Sequence, residues 1–189
     1  KNGKFLLERT AHNATSTIRD VLSNEGFTRF IDNVPITVVD SVNVKYRNSI
    51  NSVHYFSVLP YGLNDKAVQK KLLPSSVVAG KDYYKIMITF SKDGGGEDFE
   101  DVFVYWVGKE DFLIDYLAYS FHTNGGGKRF RVLKEQCSKN GIRFVDYHNY
   151  QPINSETPLI DLDASFDKKQ LKKVSEIILE NIEVTLLKD

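Results

Sequence analysis

The sequence predicts an α+β fold that is mostly antiparallel β: a curved sheet or half-open barrel with a central helix pair on its concave face. Three observations predict it. Short runs rich in aromatic and β-branched residues recur with turn residues every several positions, the rhythm of a β-meander. A ten-residue phrase occurs twice: Phe90 to Phe99 reads FSKDGGGEDF, and Phe121 to Phe130 reads FHTNGGGKRF. Glycine runs permit positive φ and tight reversals, so Gly94 to Gly96 and Gly125 to Gly127 read as two similar turns at one edge of a sheet. Third, a single central stretch changes from strand rhythm to helical spacing.

In chain order, Phe5 to Arg9 and Thr15 to Leu22 read as strands around a polar turn at Ala11 to Ala14. Asn24 to Gly26 turns into Phe27 to Ile31, and Asp32-Asn33 turns into Ile36 to Val39. Asn48 to Leu59 then places Ile50, Val53, Phe56 and Leu59 three residues apart, a helical stripe stopped by Pro60. A second helix is expected over Lys66 to Leu73, capped by Asn64-Asp65 and ended by Pro74. From Ser75 strand patterns return. They are Tyr83 to Phe90 after a turn at Ala79 to Lys81, then Val102 to Val107, Phe112 to Phe121, Phe130 to Gln136 and Ile142 to Tyr150. Asn140-Gly141 is a hairpin signal. Gln151 to Thr157 is a loop, Ser165 or Asp167 caps a short helix to about Lys173, and Ser175 to Leu187 is a last strand with a bulge near Asn181. No composition shift marks a boundary, so residues 1–189 read as one domain. The chain opens inside a strand pattern without a methionine, so N-terminal residues of the full-length protein are expected upstream.

Bulk composition narrows the function. Lys+Arg and Asp+Glu are both 25, so net charge is zero and there is no electrostatic case for nucleic acid. Cys137 is the one cysteine, which excludes an internal disulfide and a thiolate metal cluster. No stretch is long and apolar enough to span a bilayer. No cofactor motif is present. The glycine triplets precede strands, not a helix N-terminus, so they are not phosphate loops. The acidic loop Asp93 to Asp101 offers oxygens to a cation, but its spacing matches no EF-hand, and solvated turn charges facing Lys128, Arg129 and Arg131 are the simpler account.

No catalytic or metal-ligating set stands out. His12, His54, His122 and His148 form no i, i+4 pair, and Gly-x-Ser-x-Gly is absent. An enzyme would draw on polar groups near the glycine loops, namely His122, His148, Asp146 and Asp98. Among the lysines, Lys85 is the odd one, set in a strand between apolar neighbours. A helix pair packed on a curved sheet would line or plug its concave side. The expected apolar ligand site is therefore Tyr55, Phe56, Leu59 and Tyr61 with Tyr84, Ile86, Val104 and Trp106. Ordinary core packing is the plainer account of the same residues.

The phrases NSVHYFSVLPYGLNDKAV, DYYKIMITF, GGGEDFEDVFVYW, DYLAYSFHTNGGGKRFR and GIRFVDYHNY resemble an uncharacterised family of exported lipoproteins of Bacteroidetes-type bacteria. The likeness covers about Gly26 to Pro152. It implies an upstream signal peptide, a lipid anchor in place of a transmembrane helix, and a periplasmic or outer-membrane location. It carries no functional residues over. More loosely, the architecture is similar to periplasmic lipoprotein-sorting carriers, half-barrels with helices filling an apolar cavity. These readings together lead to a non-enzymatic envelope protein that binds a lipid, acyl chain or lipoprotein. An enzyme of unknown class and a protein–protein interaction module are the alternatives.

Overall fold

The structure is a computed structural model that describes residues 6–93, 99–122 and 125–186. The chain forms two compact units, Lys1–Leu59 and Pro60–Asp189. The fold class is as the sequence predicts: among the described residues antiparallel strands dominate, with two α-helices and sheets that do not close.

The first unit is a four-stranded meander with strand order β1-β2-β3-β4, made of Leu6–His12, Thr17–Ser23, Gly26–Ile31 and Val34–Ile36. Its turns fall where the small polar residues predict them. Asp32 and Asn33 take φ of 49° and 66° between β3 and β4, a conformation that Asn and Asp tolerate best. Helix α1 follows, over Asp40–Ser57. It begins eight residues before the expected Asn48, because Val42, Tyr46 and Ile50 extend the apolar stripe back at four-residue spacing. Asp40 in the first turn suits the positive end of the helix dipole. Within the unit, α1 packs on β1 and β2. Ile50 is buried, and Tyr46 lies under the Arg29 guanidinium at 3.4 Å from ring centroid to Cζ.

The second unit is one seven-stranded antiparallel sheet of order β11-β10-β9-β8-β7-β6-β5. Its strands are β5 (Val68–Val78), β6 (Lys81–Phe90), β7 (Val102–Gly108), β8 (Ile114–Phe121), β9 (Gly127–Lys139), β10 (Ile142–Pro152) and β11 (Leu171–Ile177). Register shifts at Leu73/Ser76, Trp106/Val107, Asp146/Tyr147 and Asn149/Tyr150 mark bulges, which bend strands and curve the sheet. A 3-10 turn, Leu159–Asp161, and helix α2, Leu162–Asp167, lie between β10 and β11. Among the described residues no helix is long and apolar enough to cross a membrane.

Three expectations are corrected here. The second helix of the central pair does not form. Lys66 to Leu73 falls largely in β5, where the β6 ladder from Leu73↔Lys85 to Val68↔Phe90 supplies backbone partners that override the helical spacing. Within the second unit it is α2, late in the chain, that packs on the seven-stranded sheet. Finally, β11 begins at Leu171 and ends at Ile177, so it covers only the start of the expected Ser175 to Leu187 strand. Lys169, at φ 57°, reverses the chain straight after α2.

The β9–β10 hairpin gives a first prediction. Asn140 and Gly141 have φ of 48° and 81°, the two-residue turn that fits strand twist. A Cβ on Gly141 would meet nothing within 4 Å. Gly141→Ala is therefore expected to cost about 1 kcal/mol through backbone conformation alone. A urea unfolding midpoint unchanged from wild type would contradict this turn.

Candidate functional site

Strand alternation gives the seven-stranded sheet two faces. Residues directly opposite each other in the ladder share a face. Lys85 pairs with Trp106, Met87 with Val104, Val104 with Ala118, Trp106 with Tyr116, and Ala118 with Phe130. With Tyr83 these form face one. It is almost continuously buried: Val104, Trp106, Ala118 and Phe130 are at 0% exposure. Ile86 pairs with Tyr105 and Tyr84 with Val107, which puts Tyr84 and Ile86 on the opposite face, face two.

Face one is where α2 sits. Leu162 is fully buried in the same cluster as Val104, Trp106, Tyr116 and Phe130. Phe166 meets Tyr116, Phe130 and Tyr150 at ring-centroid distances of 6.0, 5.5 and 5.5 Å. Within this apolar layer lies one polar cluster. Lys85 Nζ is 2.7 Å from Asp163 Oδ2 and donates to the Ile160 carbonyl at 2.8 Å. Trp106 Nε1 donates to the same Asp163 oxygen at 2.9 Å and to Ser76 Oγ at 3.1 Å. Lys85 and Asp163 are both buried, and Asp163 Oδ1 is buried without a hydrogen bond. Burial pushes the Asp163 carboxyl up. The hydrogen bonds from Lys85, Trp106 and Ser76, with the Lys85 charge, outweigh it and hold the group below the usual carboxylate range.

A second polar network closes one end of the sheet. Lys81 Nζ reaches Asp111 Oδ2 and Asp115 Oδ2, each at 2.7 Å, and Tyr83 donates to Asp115 Oδ2 at 2.9 Å. Arg143 donates to the Ile114 carbonyl and to Asp115 Oδ1. Burial, then the Asp115 carboxylate, push the Tyr83 hydroxyl far above its ordinary range, so it stays a neutral donor. These groups pin the β6, β7–β8 and β10 segments together, a framework role.

Within the seven-stranded sheet, the expected ligand residues divide between its two faces. Val104 and Trp106 line face one; Tyr84 and Ile86 stand on face two, where Tyr84 is stacked on the exposed Phe112 at 6.5 Å. Tyr55 and Phe56 are half-buried on α1, edge to face with each other at 5.4 Å. Leu59 is half-buried at the end of the first unit, and Tyr61 is 78% exposed. Among the polar candidates, His122 lies 3.4 Å from Asp101, His148 lies 3.2 Å from Glu176, and Asp146 accepts the Leu179 amide at 2.9 Å. Asp98 and the first triplet, Gly94 to Gly96, lie outside the described residues. Tyr116 and His148 both pair with Val132. His122 is six residues beyond Tyr116, about 20 Å along the strand. The two histidines therefore share no cleft. Among the described residues no group of three or more His, Cys, Asp or Glu side chains could hold a metal ion.

Of the face-one cluster, sequence reading singled out Lys85 and Trp106 and missed Asp163 and Ser76. Asp163 has no local signal, since its partners arrive from strands far back in the chain.

The family model described as "Family of unknown function (DUF6503)" matches residues 9–181. No curated protein matches. Among solved structures, the chain is similar to a DUF1329 family protein from Desulfovibrio piger ATCC 29098. Identity is 11%, coverage is 79% of this chain and 71% of that one, and the TM-score is 0.42.

Proposed function

The chain belongs to the DUF6503 family of unknown function, and on that premise we propose that it is a non-enzymatic protein that binds an apolar ligand. The ligand is a lipid, an acyl chain or the acylated end of a lipoprotein, and its place is face one of the seven-stranded sheet. The observation that carries this reading is how that face is closed. A bent, open sheet presents Tyr83, Met87, Val104, Tyr116 and Phe130 as one apolar surface, and α2 with its preceding 3-10 turn packs against it. A helix of six residues has little stability of its own and depends on tertiary packing. It is thus the part of the core most readily exchanged for another apolar body. Burial of an acyl chain there would contribute about 25 cal/mol per Å² of apolar surface. The sequence resemblance supports an extracytoplasmic setting, in the periplasm or at the outer membrane, with a lipid anchor upstream.

The test is native mass spectrometry with organic extraction on the full-length mature protein from a native-like host. A co-purifying lipid or acyl species is expected. An apo mass that stays apo when acyl ligands are offered would end this reading.

A further inference from the structure

The cluster around Lys85 goes beyond the apolar-ligand reading, on which this inference rests, because it names the chemistry of the ligand's head. Both acceptors of Lys85, the Ile160 carbonyl and the Asp163 carboxylate, belong to the segment that closes face one. The surrounding strand residues on that face are Tyr83, Met87, Val104 and Trp106. Remove the closing segment and the sheet presents one ammonium on an apolar surface, beside one indole N–H. A cation in that position is costly unless an anion meets it. Lys85 and Trp106 converge on a single carboxylate oxygen, at 2.7 and 2.9 Å, with the Ser76 hydroxyl also beside this carboxyl, and Asp163 Oδ1 is buried without a hydrogen bond of its own. If the role of the cluster were only to fasten α2, a second donor for that oxygen would strengthen it.

We propose that Lys85 and Trp106 Nε1 form a carboxylate-binding site for an anionic amphiphile, a fatty acid or acyl carboxylate, and that Asp163 of α2 occupies this site in the ligand-free protein. The ligand's carboxylate replaces that of Asp163, its chain replaces Leu162 and Phe166 over Met87, Val104 and Phe130, and α2 leaves the face. The exchange is one carboxylate for another at a fixed cation. The net charge of the site is unchanged, which is what lets the buried Lys85 stay paired in both states. Competition by α2 also sets a threshold: the ligand's apparent affinity is reduced by the fraction of molecules with α2 in place.

Trp106 is the chain's one tryptophan, so its emission reports directly on this site. The experiment titrates dodecanoate and dodecanol, each below its aggregation limit, into wild type, Asp163→Asn and Lys85→Met, reading Trp106 fluorescence and dissociation constants. Wild type is expected to prefer the acid over the alcohol at least tenfold. Asp163→Asn removes the competing anion and is expected to tighten dodecanoate at least tenfold while changing dodecanol less. Lys85→Met is expected to bind both alike. If Lys85→Met does not fold, the acid-to-alcohol ratio in wild type and Asp163→Asn decides alone. Equal binding of acid and alcohol by wild type and by Asp163→Asn overturns the carboxylate site and leaves the apolar-ligand reading standing. Binding of neither probe by any variant overturns both.

Discussion

Lys85→Met is expected to lower the unfolding free energy of the seven-stranded unit by about 3–5 kcal/mol, the usual consequence of removing one partner of a buried ion pair. Methionine keeps the unbranched stem and similar bulk, so the apolar contacts with Trp106 and its neighbours survive. What remains is an Asp163 carboxylate that is 4% exposed and has lost its cation. The remaining hydrogen bonds from Trp106 and Ser76 do not compensate for that desolvation. Lys85→Met combined with Asp163→Leu removes both charges and is expected to recover most of the loss, as buried pairs replaced by apolar residues often do. Urea unfolding followed by Trp106 fluorescence measures both variants. A single variant within 1 kcal/mol of wild type would show that the pair is not desolvated.

The pH dependence of that defect has a definite sign. In wild type the Asp163 carboxyl lies below its ordinary range. Its contribution is therefore present above the unfolded pKa, near 4, and is lost as pH falls through the folded value. In Lys85→Met the cation is gone and burial dominates, so the folded pKa rises above the unfolded one. The defect then shrinks on acidification instead of growing. Opposite pH slopes between pH 6 and pH 3.5 are the expected signature.

Much of the fold is legible in the sequence because its signals are local. Asn24 to Gly26, Asp32-Asn33, Ala79-Gly80 and Asn140-Gly141 all sit in the turns they predict, with Ala79, Asn140 and their glycine partners at positive φ. β6, β7, β8 and β10 match because aromatic and β-branched residues run through them. The errors lie where distant partners decide. Val68–Leu73 reads as helix by its own spacing and becomes strand because β6 offers it a ladder. Two-face alternation was also missed at β6 and β7. At β7 both faces are buried, so its pattern is continuously apolar and does not say which face each residue takes, and Tyr84 and Trp106 look like neighbours although the sheet separates them. The site suffers most from this. Lys85 is visible as an anomaly, but its partner Asp163 sits in an ordinary acidic stretch. Trp106 and Asp163 are 57 residues apart, and only the fold brings them to 2.9 Å.

In the four-stranded unit, Asp20→Asn is expected to cost about 3 kcal/mol, the lower end for a broken buried pair, because one of its two cations is partly solvated. Asp20 sits at 1% exposure in the middle of β2, a position that excludes an unpaired carboxylate. Arg9 from β1 reaches Oδ2 at 2.6 Å, and Arg29 from β3 donates through Nε and a terminal nitrogen at 2.6 and 2.8 Å. Arg29 makes the bidentate fork that fixes geometry as well as charge. Its other surface lies over Tyr46 of α1, and Arg9 donates to Ser49 of α1 at 2.8 Å. One carboxylate thus orients both cations that dock the helix on its sheet. With asparagine in its place, two guanidinium groups face each other across β2 with no anion between them, and the repulsion acts directly on the helix contacts. Burial raises the Asp20 pKa, the Arg29 and Arg9 hydrogen bonds and charges lower it, and the net position is below the ordinary value. Stability from this clamp is therefore present above the unfolded carboxylate pKa and lost as pH drops below it. The variant has no carboxylate to titrate there, so its stability should be flatter in acid. Hydrogen exchange of the β2 and β3 amides, as protection factors at pH 6 and about pH 3, reads this unit separately from the seven-stranded sheet. The wild type should lose protection on acidification and Asp20→Asn should start lower and change less. Equal protection of the two proteins at pH 6 would mean that packing of Ile50 and Tyr46, and not the clamp, holds α1 in place.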